Sequence, residues 1–242
     1  MKRRNIVLAA AATLIAAAAY GQGKIFPDGE ENLAYSVRHN IVPGDIATMI
    51  FHGSEAEGIG SYAVSAELKT TPKASLVYTL DCRYGSVFMV DADMTPVAAS
   101  CTRKEKKYWM EADYDWPAAH RLHLNVRKST RPERDSVING TSVTRDLLGT
   151  IWWLRRQCVR GEKPSAGSLI LDHDAIPLKV TAWRKINVKI EGVTYPATEA
   201  VLAQDGKEVM RLAMADDGAA TPLRFTLSLP FGKITGTLKR PF

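Results

Sequence analysis

Cysteine and histidine are scarce in this chain, which limits the chemistry it can carry. The 242 residues include 3 cysteines and 5 histidines. His120 and His123 are an odd number of residues apart, so on a strand they would point to opposite faces and could not share a metal ion. His173 lies between two aspartates, which fits a solvated hairpin tip better than a cation-binding acidic turn. We predict no metal site and no cofactor.

Motifs for nucleophilic catalysis are also absent. The sequence has no Gly-x-Ser-x-Gly elbow, no phosphate-cradling loop and no cysteine in a protease context. Acidic pairs such as Glu55 with Glu57 occur, but carboxylates two residues apart are common by chance and carry little information. We predict no catalytic residue. The alternative that stays open is a hydrolase site assembled from distant strands.

Dense positive charge is missing as well. The formal net charge is +6, and the basic residues are scattered along the chain. The one cluster, Arg103, Lys104, Lys106 and Lys107, is interrupted by Glu105. Nucleic-acid binding needs a dense basic face with interleaved aromatic side chains. We therefore exclude nucleic acid as a partner and interpret the cluster as a solvated strand end.

The N-terminus has the pattern of a secretory signal peptide. Lys2, Arg3 and Arg4 precede an apolar run over residues 6–19, and small residues follow it. A run of this length is shorter than the ~20 residues that a spanning helix needs. We predict a signal peptide at residues 1–21, and a processed protein that does not span the membrane and lies in the periplasm or otherwise outside the cytoplasm.

The remaining chain has the alternation typical of β-strands. Short runs carry apolar residues at every second position, as in Leu122, Leu124 and Val126, and turn sequences such as Asp205-Gly206 separate them. The pattern predicts a mostly β fold over residues 22–242, as a single curved antiparallel meander or open β-barrel.

The three cysteines, Cys82, Cys101 and Cys158, leave at least one thiol unpaired in an oxidising compartment. Cys82 and Cys101 lie on the two arms of a predicted hairpin. If the turn centres on Asp93, they are out of step and face opposite ways. A disulfide between them is therefore disfavoured, although the sequence does not decide the matter.

One segment departs from the β pattern. Residues Asp146–Gln157 have apolar side chains at helical spacing, and Thr144 is placed to cap a helix there. Trp152 and Trp153 would point about 100° apart. We predict an amphipathic helix that closes the open end of the sheet, with one tryptophan in the core and the other at the rim.

Four segments together carry a family resemblance. They are ENLAYSVRHNIVPGDIATMIF, VTRDLLGTIWWLRR, LDHDAIPLKVTAWRK and TPLRFTLSLPFGKITGTL, in this order between Pro27 and Lys239. The chain resembles the bacterial exported family catalogued as domain of unknown function thirty-one-oh-eight. The resemblance implies a strongly curved antiparallel β domain of Gram-negative cell envelopes, similar to the open barrels that carry lipids or lipoproteins. It brings no catalytic residues.

The residues that could line a ligand site follow from the helix and from one strand. In Val87–Val90, apolar side chains point to both faces, so a helix, a second sheet layer or a ligand must cover each face. The candidate ligand-lining or core residues are Phe88, Leu148, Ile151, Trp152 and Trp153.

These observations predict a non-catalytic binding or carrier module for an apolar envelope component such as a lipid. Two alternatives remain open. One is an envelope scaffold or partner-binding protein, and the other is a periplasmic hydrolase with an unrecognised site.

Overall fold

The computed structural model describes residues 25–26, 29–56, 60–76, 78–91, 93–140, 143–171, 174–229 and 232–239. The predicted signal peptide at residues 1–21 and His173 lie outside the described residues.

The described residues form 15 strands and two helices. The strands are β1 (Glu30–His39), β2 (Asp45–Ala56), β3 (Ser61–Thr70), β4 (Leu80–Met89), β5 (Pro96–Glu105), β6 (Trp109–Ala118), β7 (Arg121–Lys128), β8 (Arg131–Asn139), β9 (Thr144–Arg145), β10 (Ala166–Leu171), β11 (Asp174–Ile190), β12 (Val193–Gln204), β13 (Lys207–Ala215), β14 (Pro222–Leu229) and β15 (Gly232–Leu238). The helices are α1 (Pro72–Ser75) and α2 (Leu147–Val159).

All fifteen strands belong to one open sheet, in the order β8-β7-β6-β5-β4-β3-β2-β1-β15-β14-β13-β12-β11-β10-β9. Neighbouring strands are antiparallel except for the short parallel pair β9–β10. The first and last strands meet in the middle of the sheet, where Tyr35 of β1 pairs with Leu238 of β15. The prediction of a curved, mostly β fold with one internal helix is confirmed.

The sheet curls around α2, which packs against β3, β4, β9, β10 and β13. Alternate strand residues point inward, as the β-strand period requires. Tyr35, Phe51 and Phe225 meet in this way: the rings of Tyr35 and Phe51 lie 5.0 Å apart, and Phe51 and Phe225 lie 6.0 Å apart. The main core therefore lies between the concave face of the sheet and the helix.

The two ends of the open sheet overlap. Leu169 of β10 belongs to the main core around α2, whereas its neighbour Ile170 packs into a second core formed by β5, β6 and β7. Successive side chains of a strand point to opposite faces, so β10 is covered on both faces. Since β10 has no hydrogen-bonded partner among β5–β7, this contact is face to face.

Helix α2 is more enclosed than an amphipathic helix would be. It spans Leu147–Val159, and its N-cap is Asp146 and not Thr144. Trp152 and Trp153 are both buried, at 0% and 5% exposure. The prediction of one core and one rim tryptophan is wrong, because the overlapping sheet surrounds the helix and leaves no wet side along most of its length.

Cys82 and Cys101 lie on the same buried face, so the prediction that they face opposite ways is wrong. A β-bulge between Val87 and Phe88 shifts the β4–β5 register by one residue. As a result Cys101 pairs with Tyr84, two residues from Cys82 and on its face. The two thiols are not joined in a disulfide in this structure.

Candidate functional site

The predicted site residues all lie in the core around the helix. Phe88 points inward from β4, and Leu148, Ile151, Trp152 and Trp153 are buried on α2. All five side chains are at most 5% exposed to solvent. A ligand could therefore reach them only if the packing around the helix opened. Their role as ligand-lining residues stays a prediction.

The space behind the helix is filled by protein. A small gap between α2 and strands β10–β12 has no room for a water molecule. The indole of Trp153 occupies this region and lies against Gly167, where an added Cβ would stand 3.3 Å from the ring. A cavity for a drug-sized or lipid-sized ligand needs about 300–1,000 Å³. This side of the helix provides no such volume.

A buried ion pair fixes the helix to the first strand. The guanidinium of Arg155 is wholly buried and binds the carboxylate of Glu31, with Nη2 3.0 Å from Oε1. Its Nε donates to the carbonyl oxygen of Ala219, 2.7 Å away. The same guanidinium lies 5.7 Å from the ring centroid of Phe26. Because groups of the protein itself compensate its charge, Arg155 stabilises the contact between α2 and β1 and is not available to bind a ligand.

A buried carboxylate caps the other end of the helix. Asp146 Oδ1 accepts hydrogen bonds from the backbone N–H of Gly149 at 2.7 Å and from the hydroxyl of Ser86 at 3.1 Å. Burial raises the pKa of Asp146 to about 6, against the lowering effect of these two donors. The cap therefore joins α2 to β4 through a group that titrates in mildly acidic solution.

Arg145 closes the sheet over the start of the helix. Its guanidinium stacks 4.5 Å from the Trp153 ring centroid and donates to the carbonyl oxygens of Asp93 and Val143. Burial lowers the pKa of Arg145 to about 10, while Asp93 and Asp91 act in the opposite direction. Charged side chains thus hold both ends of α2: Arg145 and Asp146 at its start, and Arg155 toward its end.

The described residues show no convergent catalytic group. None of their His, Cys, Asp and Glu side chains form a cluster of three or more that could hold a metal ion. Burial raises the pKa of the Cys82 thiol to about 11, which disfavours the reactive thiolate. The Asp135 carboxylate accepts a hydrogen bond from His123 Nε2 at 2.6 Å, but this pair lies on the exposed outer face of β7 and β8.

Five exposed large apolar side chains lie at one rim of the sheet, while Met89, Val90, Val97 and Val193 are exposed at the opposite rim. Successive hairpin turns of an antiparallel sheet lie at alternating ends of the strands, so the β1–β2, β3–β4 and β5–β6 connections share a rim. Ile41 is 71% exposed there, Leu76 88% and Trp109 42%. Val42 and Tyr78 are also exposed at this rim.

The same rim carries unpaired positive charge. Lys73, Lys104, Lys106 and Lys107 are exposed, and none of them forms an ion pair within the part of the chain that the structure describes. We call the nine residues together the basic rim. They are Ile41, Val42, Lys73, Leu76, Tyr78, Lys104, Lys106, Lys107 and Trp109. The sequence showed the three lysines as a cluster but gave no sign of their apolar neighbours from other hairpins.

Several turns at the opposite rim carry acids, although exposed lysines such as Lys163, Lys189 and Lys239 also lie toward it. In the β4–β5, β11–β12 and β13–β14 turns every charged residue is an acid: Asp91, Asp93, Glu191, Asp216 and Asp217. On the basic side, the β7–β8 hairpin adds Lys128 and Arg131, whereas the β12–β13 turn contains Asp205 followed by Lys207. The first part of the sheet is therefore polarised along its strands.

No helix among the described residues has both the length and the apolar character needed to cross a bilayer. Helix α2 lies in the interior, and α1 lies in the connection between β3 and β4.

Comparison with known proteins supports the fold. No family model and no curated protein matches the chain. The resemblance to domain of unknown function thirty-one-oh-eight therefore stays a prediction. Among solved structures, the chain is similar to a β-barrel-like protein of domain of unknown function DUF1849 from Brucella abortus, with a TM-score of 0.52 and 13% identity over 86% of this chain and 95% of that chain. This likeness shows a β-barrel-like fold.

Proposed function

We propose that this chain is an exported, non-catalytic binding module of the cell envelope that contacts an apolar component at its basic rim and not in its interior. The observation that carries the proposal is the exposure of Ile41, Leu76 and Trp109 on one rim of a protein whose helix-facing interior is filled. The signal-peptide pattern supports placing it outside the cytoplasm.

Exposed apolar groups of this kind have a cost that binding would remove. Full burial of a leucine-sized side chain is worth about 1.5–3 kcal/mol. Single exposed apolar residues are ordinary, but several on neighbouring hairpin turns form a contiguous surface of the kind that marks interaction sites. Leu76 and Trp109 have no packing role that would account for their position.

A carrier that encloses its ligand fits the structure less well. To open the space around Trp152 and Trp153, the helix would have to leave the sheet and break the Arg155–Glu31 pair. Leaving one partner of a buried ion pair uncompensated costs about 3–5 kcal/mol. The surface site needs no such rearrangement.

The experiment is a titration of the processed protein with dihexanoyl phosphatidylcholine, followed by backbone amide NMR. We expect shifts at Ile41, Leu76 and Trp109 and none in α2. Leu76→Ser should weaken the response, whereas Val193→Ser, an exposed apolar residue at the opposite rim, should not. Shifts concentrated in α2 and at Phe88 would instead identify a carrier, and the absence of any shift would refute both.

A further inference from the structure

We propose that the basic rim docks onto the surface of an anionic phospholipid bilayer. This inference rests on the proposed function and names the chemistry of its partner. Docking onto an anionic bilayer needs positive charge and apolar side chains that can enter the membrane surface, in the same place. The hairpin connections of β1–β6 carry both.

Register places an ammonium beside an indole at the end of one hairpin. Lys104 of β5 and Trp109 of β6 are directly paired and both exposed, so they share the outer face. Lys106 and Lys107 occupy the turn between them. Tryptophan and lysine together are the side chains that sit at the interface of a bilayer, with the ring among the acyl–headgroup boundary and the ammonium among the phosphates.

The neighbouring hairpin extends this surface. Leu80, at the start of β4, pairs with Glu105, at the end of β5, and this brings the β3–β4 connection beside the lysine turn. The hydroxyl of Tyr78 hydrogen-bonds to the side chains of Glu105 and Arg103. Tyr78 thus fixes this connection, which presents the exposed Leu76, to the lysine-bearing strand.

Charge at this surface is only partly balanced: Asp81 of β4 lies directly opposite Lys104 of β5. Arg103 and Glu105 pair with each other, so the net positive charge comes from Lys73, Lys104, Lys106 and Lys107. A lysine close to an anionic membrane surface strengthens binding by about fivefold. The acidic β4–β5 turn, with Asp91 and Asp93, lies at the opposite end of the strands that carry the lysines and would point away from the membrane.

The apolar groups distinguish a bilayer from other anionic partners. A nucleic-acid backbone or a uniformly charged polyanion such as poly-glutamate would be attracted by the lysines but offers no apolar surface to bury the exposed leucine and isoleucine. Ile41 and Leu76 project from connections between strands, where they could enter the headgroup layer without unfolding any strand. We therefore favour the bilayer over the polyanions.

The test is co-sedimentation of the processed protein with phosphatidylglycerol-containing vesicles and with pure phosphatidylcholine vesicles. We expect binding to the anionic vesicles that weakens as ionic strength rises from about 0.01 M to about 1 M, because the Debye length falls from ~30 Å to ~3 Å. The triple variant K104Q/K106Q/K107Q should lose about a hundredfold in partitioning.

The matched control is K163Q/K189Q/K239Q, which removes the same charge from exposed lysines toward the opposite rim. It should bind nearly as well as the unmodified protein. All variants change exposed side chains, so circular dichroism and melting temperature should be unchanged and will confirm folding. Trp109→Ala should also reduce vesicle binding.

Three results would overturn the inference. They are equal binding to anionic and neutral vesicles, equal losses in the two triple variants, and binding to poly-glutamate as tight as to vesicles with no effect of Trp109→Ala. The last result would assign the rim to an acidic polypeptide. If short-chain phosphatidylcholine still shifts the rim amides in any of these cases, the proposed function stands and only the anionic bilayer is excluded.

Discussion

The guanidinium of Arg155 in α2 and the carboxylate of Glu31 in β1 form a buried ion pair across 124 residues of sequence. It ties the internal helix to the strand at the centre of the sheet. The side chain of Arg155 is not exposed to solvent, so the Glu31 carboxylate and the Ala219 carbonyl oxygen are the groups that compensate its positive charge. The fold of the interior therefore depends on one electrostatic contact as well as on apolar packing.

Removing one partner of this pair should strongly destabilise the protein. Glu31→Gln leaves the Arg155 charge buried without compensation, and we expect a loss of about 3–5 kcal/mol in the free energy of unfolding, measured by urea denaturation. The exposed pair Arg38–Asp45, with side chains 69% and 40% exposed, provides the control. Asp45→Asn should cost no more than about 1 kcal/mol. Similar losses in both variants would contradict the assignment.

The Asp146 cap should make stability depend on pH. Folding raises the pKa of Asp146 from 3.8 to about 6, so between these values the folded state binds more protons than the unfolded state. The contribution of Asp146 to stability is therefore present at acidic pH and is lost as pH rises through about 6. At 1.36 kcal/mol per pKa unit, the loss amounts to about 3 kcal/mol.

Asp146→Asn tests this directly, because the amide oxygen can still accept from Gly149 while the proton-linked charge is gone. We expect its unfolding free energy to lack the fall between pH 4 and 6 that the unmodified protein shows. Asp115→Asn, on the exposed outer face of β6, should keep the original profile. A profile unchanged by Asp146→Asn would show that this carboxyl does not titrate as the structure indicates.

Gly236 of β15 provides a third test. It pairs with Phe225 of β14, and an added Cβ would overlap the phenylalanine ring. That ring is packed against Tyr35 and Phe51 and has little room to move. Gly236→Ala should therefore lower the melting temperature, with a cost of about 1–3 kcal/mol typical of overpacking. Gly85→Ala, whose Cβ would meet only Ser100 Oγ at 3.3 Å, should be milder, and the reverse ranking would contradict the packing.

Export can be tested without any variant. If residues 1–21 are a signal peptide, the N-terminal sequence of the protein recovered from the periplasm should begin between Tyr20 and Gln22. Intact Met1 on a soluble cytoplasmic protein would refute the prediction.

The strands could be predicted because their signal is local. Leu122, Leu124 and Val126 alternate with polar residues in the sequence, and the structure buries all three. The turn residues likewise act locally: Asp205 and Gly206 both have positive φ in the hairpin that their sequence predicted. Such patterns depend on neighbouring residues only.

Features that depend on distant strands could not be predicted. A segment with both apolar and basic residues predicts an amphipathic helix with one exposed face. In the structure α2 is instead buried along most of its length, because β10 overlaps β5–β7 and closes the sheet around it. A single bulge at Val87 changed the faces of Cys82 and Cys101, because side-chain direction depends on register parity. The basic rim likewise required the β4–β5 register to bring Leu76 near Lys104.

The protein fills its own interior, and binding is therefore expected at its surface. Native mass spectrometry of the protein purified from its own cell envelope tests this most directly. We expect the mass of the processed chain alone, because a component held at the rim is released when the membrane is removed. A lipid retained at one copy per chain and lost only on unfolding would contradict it.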